Sequence, residues 1–518
     1  MDDELLQFLN NRSIPAFSVA TVESDFFGWG SSGFNRMRTE TIRTIQAFVH
    51  YGVDVLFSDL DVAWLRNPID FFARYPKADV IFSTDRRVPT IYDGGLEYVE
   101  AVWLKEGNVG VILFRPSAVS LVDEWVQIIE ENDKLWDQEV FNRLVLRNIT
   151  GKTAERDHKH EQRLFRGYNE TLSFGILPVE LFPSGHYYFV QHRPENKSIK
   201  PYMLHPTFCF SEKHGKINRL REAMAFYDEP PYYDHHNGFI SVDNNVPQRL
   251  LNPIHVHEDV LKVKDTGPHF KLVNPQLLIM RAAFAIATVL DRAVVLPELW
   301  CGFDKYWQPH LGVIPGSNFA LPYQCPADHV LDLTRMSQRD TSQRMYGPYI
   351  EWRESSFLKN PANPLSGGDV LHVNVCVVSS GGGGDGSSED ECADGSVPVQ
   401  SVGAMVREED GGKKEPTTAA VWLRAGMNET QLKMALKHVA KGYKVLHFVH
   451  PVALWGGFGD VHKANRFKDR INEYATYWCC VADAEHNHIF YDFFWDVKNH
   501  TDRFGRKFED VWRPTPGP

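Results

Sequence analysis

The sequence is poor in cysteine, in positive charge and in long uncharged apolar runs, and each shortage removes a class of protein. Seven cysteines occur in 518 residues and no two form a C-x-x-C pair, so neither a zinc ribbon nor a thioredoxin-type redox site is indicated. Lys and Arg number 55 against 67 Asp and Glu, a formal net charge of −12, and no basic run is concentrated anywhere. Neutralisation of phosphates by Lys and Arg supplies most nucleic-acid affinity, so no nucleic-acid partner is expected. No uncharged apolar stretch reaches the roughly 20 residues of a membrane span. The most apolar segment, Leu277 to Leu296, is broken by Arg281, Asp291 and Arg292 and reads as a buried helix leading into a strand. The acidic start MDDELLQFLN lacks the basic and apolar regions of a signal peptide, and no internal repeat is apparent.

What is present is globular: 43% hydrophobic and 24% charged residues, at a length that suits two large domains or three smaller ones. Six N-x-S/T sequons, beginning at Asn11, Asn148, Asn169, Asn196, Asn428 and Asn499, permit a lumenal life. In an oxidising compartment Cys301 and Cys325 are expected to pair. Apolar residues from Met37 to Val49 follow helical spacing, and Gly52 supplies the stop. Short β-forming runs follow at Val53 to Phe57, Ala78 to Phe82 and Val109 to Phe114, with an amphipathic helix through Val119, Val122, Trp125, Val126 and Ile129. Helices alternating with buried strands predict an α/β sheet, with Asp59, Asp61 and Asp85 gathered beyond the carboxyl ends of its strands.

The pattern loosens around Asp234 to Asn252 and a new periodic block opens at His269. The expected organisation is therefore a first domain over 1–235, a linker over 236–268, and a second α/β domain over 269–518. Within the last, Ser379 to Thr418 is rich in Gly, Ser and acidic residues and is expected to be disordered. The aromatic-rich segment Tyr474 to Trp495 reads as core.

Asp59-Leu60-Asp61 is the single D-x-D spacing in the chain. Residues i and i+2 leaving a strand project to one side, so both carboxylates could face one cation, although two solvated loop aspartates would look the same in sequence. The context favours the first reading: the motif ends a buried strand and runs into a Trp-Leu pair. Two hard oxygen ligands suit Mg²⁺ or Mn²⁺, which keep positions open for substrate phosphates. Two bare carboxylates about 4 Å from diphosphate oxygens would repel them by about 4 kcal/mol per pair at an effective dielectric near 20, and a cation reverses that sign. It also stabilises a departing diphosphate.

The blocks VLFSDLDVAWLRNP, NVGVILFRP and WDQEVFN, in this order, resemble the nucleotide-diphospho-sugar transferases of glycosyltransferase family 77, and within it the plant extensin arabinosyltransferases. The resemblance continues through SGHYYFVQ, HPTF, REAMAFYD, the segment FKLVNPQLLIMRAAFAIATVLDRAVVLPELWC, and the late WCC and HIFYDFFWD, leaving out the insertion after Ser379. It implies a Golgi enzyme of GT-A (Rossmann-like) fold that uses Mn²⁺ or Mg²⁺ and UDP-β-L-arabinofuranose. The acceptor it implies is a hydroxyproline-linked arabinoside of extensin-like, hydroxyproline-rich cell-wall glycoproteins, reached with retention. Carried residue by residue, it makes Asp59, Asp61 and His205 the metal ligands, and Asp59, Asp61, Asp85, Asn108, Gly185 and His186 donor-binding residues. Asp137 and Gln138 become the catalytic pair. Each has an ordinary alternative: a core histidine at His205, an N-cap of a helix over Gln138 to Leu146 at Asp137, a simple turn at Gly185. Family members carry, before the segment matching MDDELLQFLN, a membrane anchor, a stem and a first sheet strand, and none of these precedes it here, so the first domain is expected to lack that strand.

In the second domain, N-x-Q, an Ala-rich helix and LDRAVVLP resemble the opening βα unit of protein O-fucosyltransferases. A packed accessory domain that helps hold a glycoprotein acceptor is the expectation there. His158/His160 and His255/His257 have metal-like spacing in polar sequence and read as surface histidines. Two other functions stay open: a relative using UDP-xylose or UDP-galactose, and a non-catalytic scaffold of a Golgi transferase complex.

Overall fold

The computed structural model describes residues 3–17, 31–98, 106–132, 134–149, 162–193, 200–252, 267–305, 313–314, 316–339, 347–366, 368, 370–376, 419–479 and 488–497. The chain forms two compact units, Met1–Thr207 and Phe208–Pro518.

The first unit is built on a sheet of five strands, β1 (Val55–Ser58), β3 (Val80–Thr84), β4 (Gly107–Phe114), β5 (Phe165–Gly167) and β6 (Leu172–Ile176), in the order β1-β4-β3-β6-β5. A second ladder of two residues each pairs β2 (Ala63–Trp64) with β7 (Met203–Leu204). β4 is antiparallel to both of its neighbours, so β1 and β3 end at the same edge, where β4 begins. That edge carries Asp59, Asp85 and Asn108. Both faces of the sheet are covered. Val80, Phe82, Ile112 and Phe114 pack under the helices Ser32–His50, Val119–Glu131 and Asp137–Val145, while Ile81, Val111 and Leu113 meet Phe71, Phe72, Leu177 and Phe182. The helix Val119–Glu131 turns Leu121, Val122, Trp125, Val126 and Ile129 inward along one stripe, as its spacing predicts. Each such buried side chain contributes about 1.5–3 kcal/mol.

The second unit holds a six-stranded, wholly parallel sheet. Its strands are β8 (Phe239–Val242), β9 (Ala293–Val295), β12 (Trp352–Arg353), β13 (Val370–Cys376), β14 (Ala419–Arg424) and β16 (Val445–Phe448), ordered β12-β9-β8-β16-β13-β14. Between them in sequence lie β10 (Leu299–Cys301), β11 (Tyr323–Cys325) and β15 (Met427–Asn428). β10 and β11 form an antiparallel pair closed by the Cys301–Cys325 disulfide. The helix Gly267–Leu290 is long and apolar enough to cross a membrane, but 78% of its most apolar window is buried in the protein, as for a core helix. Tyr474, Tyr491 and Phe493 are buried, as the aromatic-rich end predicts.

The domain boundary differs from the sequence expectation. The division falls after Thr207, and β8, inside the expected linker over 236–268, is a central strand of the second sheet. Its four residues, flanked by His235-His236-Asn237 and Asp243-Asn244-Asn245, are too short for periodicity to mark. The expected insertion over 379–418 and the pairs His158/His160 and His255/His257 lie outside the described residues.

Candidate active site

The carboxyl edge of β1 and β3 gathers the site. As the chain leaves β1, the Asp59 N–H donates to the Gly110 carbonyl at 2.7 Å, and the Val62 N–H closes a turn onto the Asp59 carbonyl at 3.2 Å. The next two residues enter the β2–β7 ladder, where Ala63 faces Leu204, and this pairing delivers His205 beside the D-x-D turn. His205 Nε2 stands 3.4 Å from Asp61 Oδ1 and 3.9 Å from Asp59 Oδ2. The three donor atoms lie within 4.8 Å of one another, and among the described residues this is the group able to hold a metal ion. Two carboxylate oxygens and one imidazole fit Mn²⁺ or Mg²⁺. Burial pushes the Asp59 carboxyl above its ordinary range, against the opposing pull of Arg38 and His205, as expected of carboxylates assembled to face a cation.

Gly110 keeps the floor of this group open. A Cβ there would lie 2.4 Å from His205 Cε1 and 2.9 Å from Asp59 Oδ2, closer than side-chain atoms pack.

Beside the metal group runs a second network. A bulge after Phe82 re-registers β3 so that Ser83 faces Asn108. The Ser83 hydroxyl donates to the Asn108 carbonyl at 3.0 Å, and Asn108 Oδ1 accepts from the Gly110 N–H at 2.8 Å. Asn108 Nδ2 and Gln138 Nε2 each donate to Asp85, both at 2.9 Å, one to each carboxylate oxygen. Gln138 Oε1 accepts from the Val109 N–H at 3.3 Å. Burial raises the Asp85 carboxyl while these two amides oppose the rise.

Asp137 is the first residue of its helix. The N-cap is Trp136, which makes no side-chain cap, so the carboxylate of Asp137 does not serve as the cap that its sequence position allowed. Arg38, on the helix Ser32–His50, instead donates through Nε at 2.7 Å and through a second nitrogen to Asp137 Oδ2, and its other terminal nitrogen lies 3.9 Å from Asp59 Oδ1. Asp137 Oδ1 is buried without a partner, in a residue only 4% exposed. Trp125 Nε1 donates to the Asp137 carbonyl at 3.0 Å and fixes the helix start.

The structure thus brings together Asp59, Asp61, His205, Asp85, Asn108, Asp137 and Gln138. Gly185 is tied in through its neighbour, Ser184, which bridges His205. A Cβ on Gly185 would lie 2.2 Å from the Thr207 carbonyl, so the close approach this glycine permits is to the chain following His205. His186 starts the π-helical turn His186–Val190, is fully buried, and has its Nδ1 3.0 Å from Gln191 Nε2. Arg38 and Gly110 are site residues that sequence reasoning passes over. Arg38 acts on Asp137 from 99 residues away, and its helical spacing marks it only as a polar face.

Comparisons with known proteins place the chain in a family. The family model of the nucleotide-diphospho-sugar transferases matches residues 1–220. Over its whole length, and 72% of the relative's, the chain is 34% identical to arabinosyltransferase XEG113 of Arabidopsis thaliana. The chain belongs to the nucleotide-diphospho-sugar transferases. Weaker relatives are arabinosyltransferase RRA1 of Arabidopsis thaliana, 24% identical over 36% of this chain and 44% of its own, and the UDP-galactose:fucoside alpha-3-galactosyltransferase of Dictyostelium discoideum, 20% identical over 48% and 37%. No solved structure matches. As a nucleotide-diphospho-sugar transferase, the protein is a glycosyltransferase with a GT-A-like first unit and a nucleotide-sugar donor.

Proposed function

We propose that this transferase moves L-arabinofuranose from UDP-arabinofuranose to hydroxyproline-linked arabinosides of extensin-like glycoproteins, with retention and with Mn²⁺ or Mg²⁺. One observation carries the reading: a three-donor metal group beside a buried, half-unpartnered carboxylate on a nucleotide-sugar transferase scaffold. A divalent cation held by Asp59, Asp61 and His205 would supply Lewis-acid stabilisation to a departing diphosphate.

The protein's own groups divide the remaining work. Arg38 binds Oδ2 of Asp137 and fixes that side chain, leaving Oδ1 buried without a partner. Such an oxygen stabilises the positive charge that develops on the sugar as the glycosidic bond breaks, an effect worth most where water is excluded. Gln138, whose amide is engaged at both ends, acts through Asp85 and positions it. Asp85 and Asn108 offer the acceptor and donor groups suited to sugar hydroxyls. With retention on one face, the departing phosphate itself takes the acceptor proton and no dedicated side-chain base is needed.

The Golgi lumen is part of the proposal. The Cys301–Cys325 disulfide suits an oxidising compartment, and the sequons suit a lumenal one. The test is transfer to a hydroxyproline-arabinoside peptide from UDP-arabinofuranose, UDP-xylose and UDP-galactose in parallel, read by mass and by the anomeric coupling of the product. Arabinose added with the donor's configuration is the expected result. Transfer from either other donor alone, or an inverted product, would overturn it.

A further inference from the structure

Parallel sheets are covered on both faces, and their strands read as continuous apolar runs. The second unit breaks that rule on one face of its three adjacent strands β8, β16 and β13. Ser241 pairs in register with His447, and His447 with His372. Asp243 and Asn374 each follow two residues later, on the same side. All five residues are half-exposed, while Ile240, Val242, Leu446, Phe448, Leu371 and Val373 on the opposite side are buried.

The polar row is hydrogen-bonded and directional. Ser241 Oγ lies 2.9 Å from His447 Nδ1, and His447 Nε2 lies 2.9 Å from Asp243 Oδ1. Asp243 accepts from Nε2–H, so Nδ1 is left to accept from the serine hydroxyl. The His372 ring stands 5.0 Å from that of His447, and burial together with His447 holds His372 toward its neutral form.

The position matters as much as the composition. β8 leads to β9 and β12 on one side, whereas its other neighbour, β16, belongs to the later strands, so the strand order reverses between β8 and β16. In open α/β sheets ligands bind beyond the carboxyl ends of the strands at such a reversal. There, Asn245 Nδ2 ties the two strand ends by donating to the Val449 carbonyl at 2.7 Å. Asn244 donates to Gln276 Oε1 and to the Glu298 carbonyl, both at 2.7 Å, and so braces the end of β8 from the buried side.

We propose that this sheet face, from Ser241, His447 and His372 out to Asp243 and Asn374, is a second ligand site, and that it takes a neutral oligosaccharide. Residues 241–245, 372–376 and 447–450 include no Lys or Arg to receive a phosphate, and Asp243 would repel one. A carboxylate, an amide, imidazoles and a hydroxyl are the partners that sugar hydroxyls need. The site rests on the arabinosyltransferase reading only for the choice of probe.

The test uses the full chain with no nucleotide sugar and titrates a linear arabino-oligosaccharide by calorimetry. Histidine imidazole resonances are followed by NMR and assigned with His372→Gln and His447→Gln. Wild type and Asp61→Ala should bind alike, Asn374→Ala and Asp243→Asn at least about tenfold more weakly, as loss of one hydrogen bond to a charged or buried group predicts. In the wild type the His372 and His447 resonances should move. No binding by the wild type, resonances that stay fixed, or binding lost in Asp61→Ala would overturn the inference. The wild-type resonances decide even if a variant fails to fold. Sugar binding that persists in a chain showing no transfer would sink the transferase reading and leave this site standing.

Discussion

Asp137 has one carboxylate oxygen held by Arg38 and the other buried with no partner, and this asymmetry is the basis of the charge-stabilising role proposed for it. Asp137→Asn keeps the shape and removes the charge, so kcat should fall by about a hundredfold or more, the cost of one electrostatic group in a dry site. UDP-sugar affinity should change little, and a fall in affinity with kcat unchanged would assign Asp137 to donor binding instead. Gly110 makes a different prediction. In Gly110→Ala the new methyl meets His205 and Asp59, so stabilisation of the protein by Mn²⁺ should be lost while the strand itself persists. A thermal shift with Mn²⁺ equal to that of the wild type would show that the group tolerates the side chain.

The helix Glu212–Glu222 ends on a carboxylate that takes hydrogen bonds from the Ser355 N–H at 3.0 Å and from its hydroxyl, at the carboxyl end of β12. Burial pushes Glu222 up to about 7, with Glu354 and Glu298 adding to the rise. The folded state thus favours the protonated form. Its contribution is full below the unfolded range near 4.5 and is lost as pH rises through about 7. Since the side chain keeps partial exposure, the loss is about 1 kcal/mol. Glu222→Gln should flatten the decline in stability between pH 5 and 8, and an unchanged slope in denaturant unfolding would contradict it. Apolar spacing made three strands of the first sheet legible, β1, β3 and β4, whereas the short β5 and β6 were not legible. The helix expected over Met37 to Val49 runs Ser32–His50, and the strand expected from Val109 runs Gly107–Phe114. Strand direction is not written in such patterns, and the antiparallel course of β4 is what places Asn108 and Gly110 between Asp59 and Asp85. His205 was legible only through its resemblance, because a two-residue ladder positions it. Arg38 and β8 carried no local signal, the first because its partner is distant in sequence, the second because four residues show no period.

Across the whole molecule, chemistry and fold divide between two units. The first carries the candidate metal group and the network around Asp137, and the second a parallel sheet with its own polar face. The Cys301–Cys325 bridge closes a loop of sequence separation 24 in the second unit, for which chain entropy gives about 3 kcal/mol. Double replacement by serine should lower the unfolding free energy of that unit by this order while Mn²⁺ binding persists, and unchanged stability would show that the bridge restrains little. Metal-dependent nucleotide binding at Asp59, Asp61 and His205 is the proposed property on which the rest depends. Calorimetric titration of UDP into the wild type and into Asp61→Ala, each with Mn²⁺ and with EDTA, measures it directly. Binding by the wild type with Mn²⁺, abolished by EDTA and by the substitution, is the predicted result. UDP binding that survives both, or that is absent from the wild type with Mn²⁺, would contradict it.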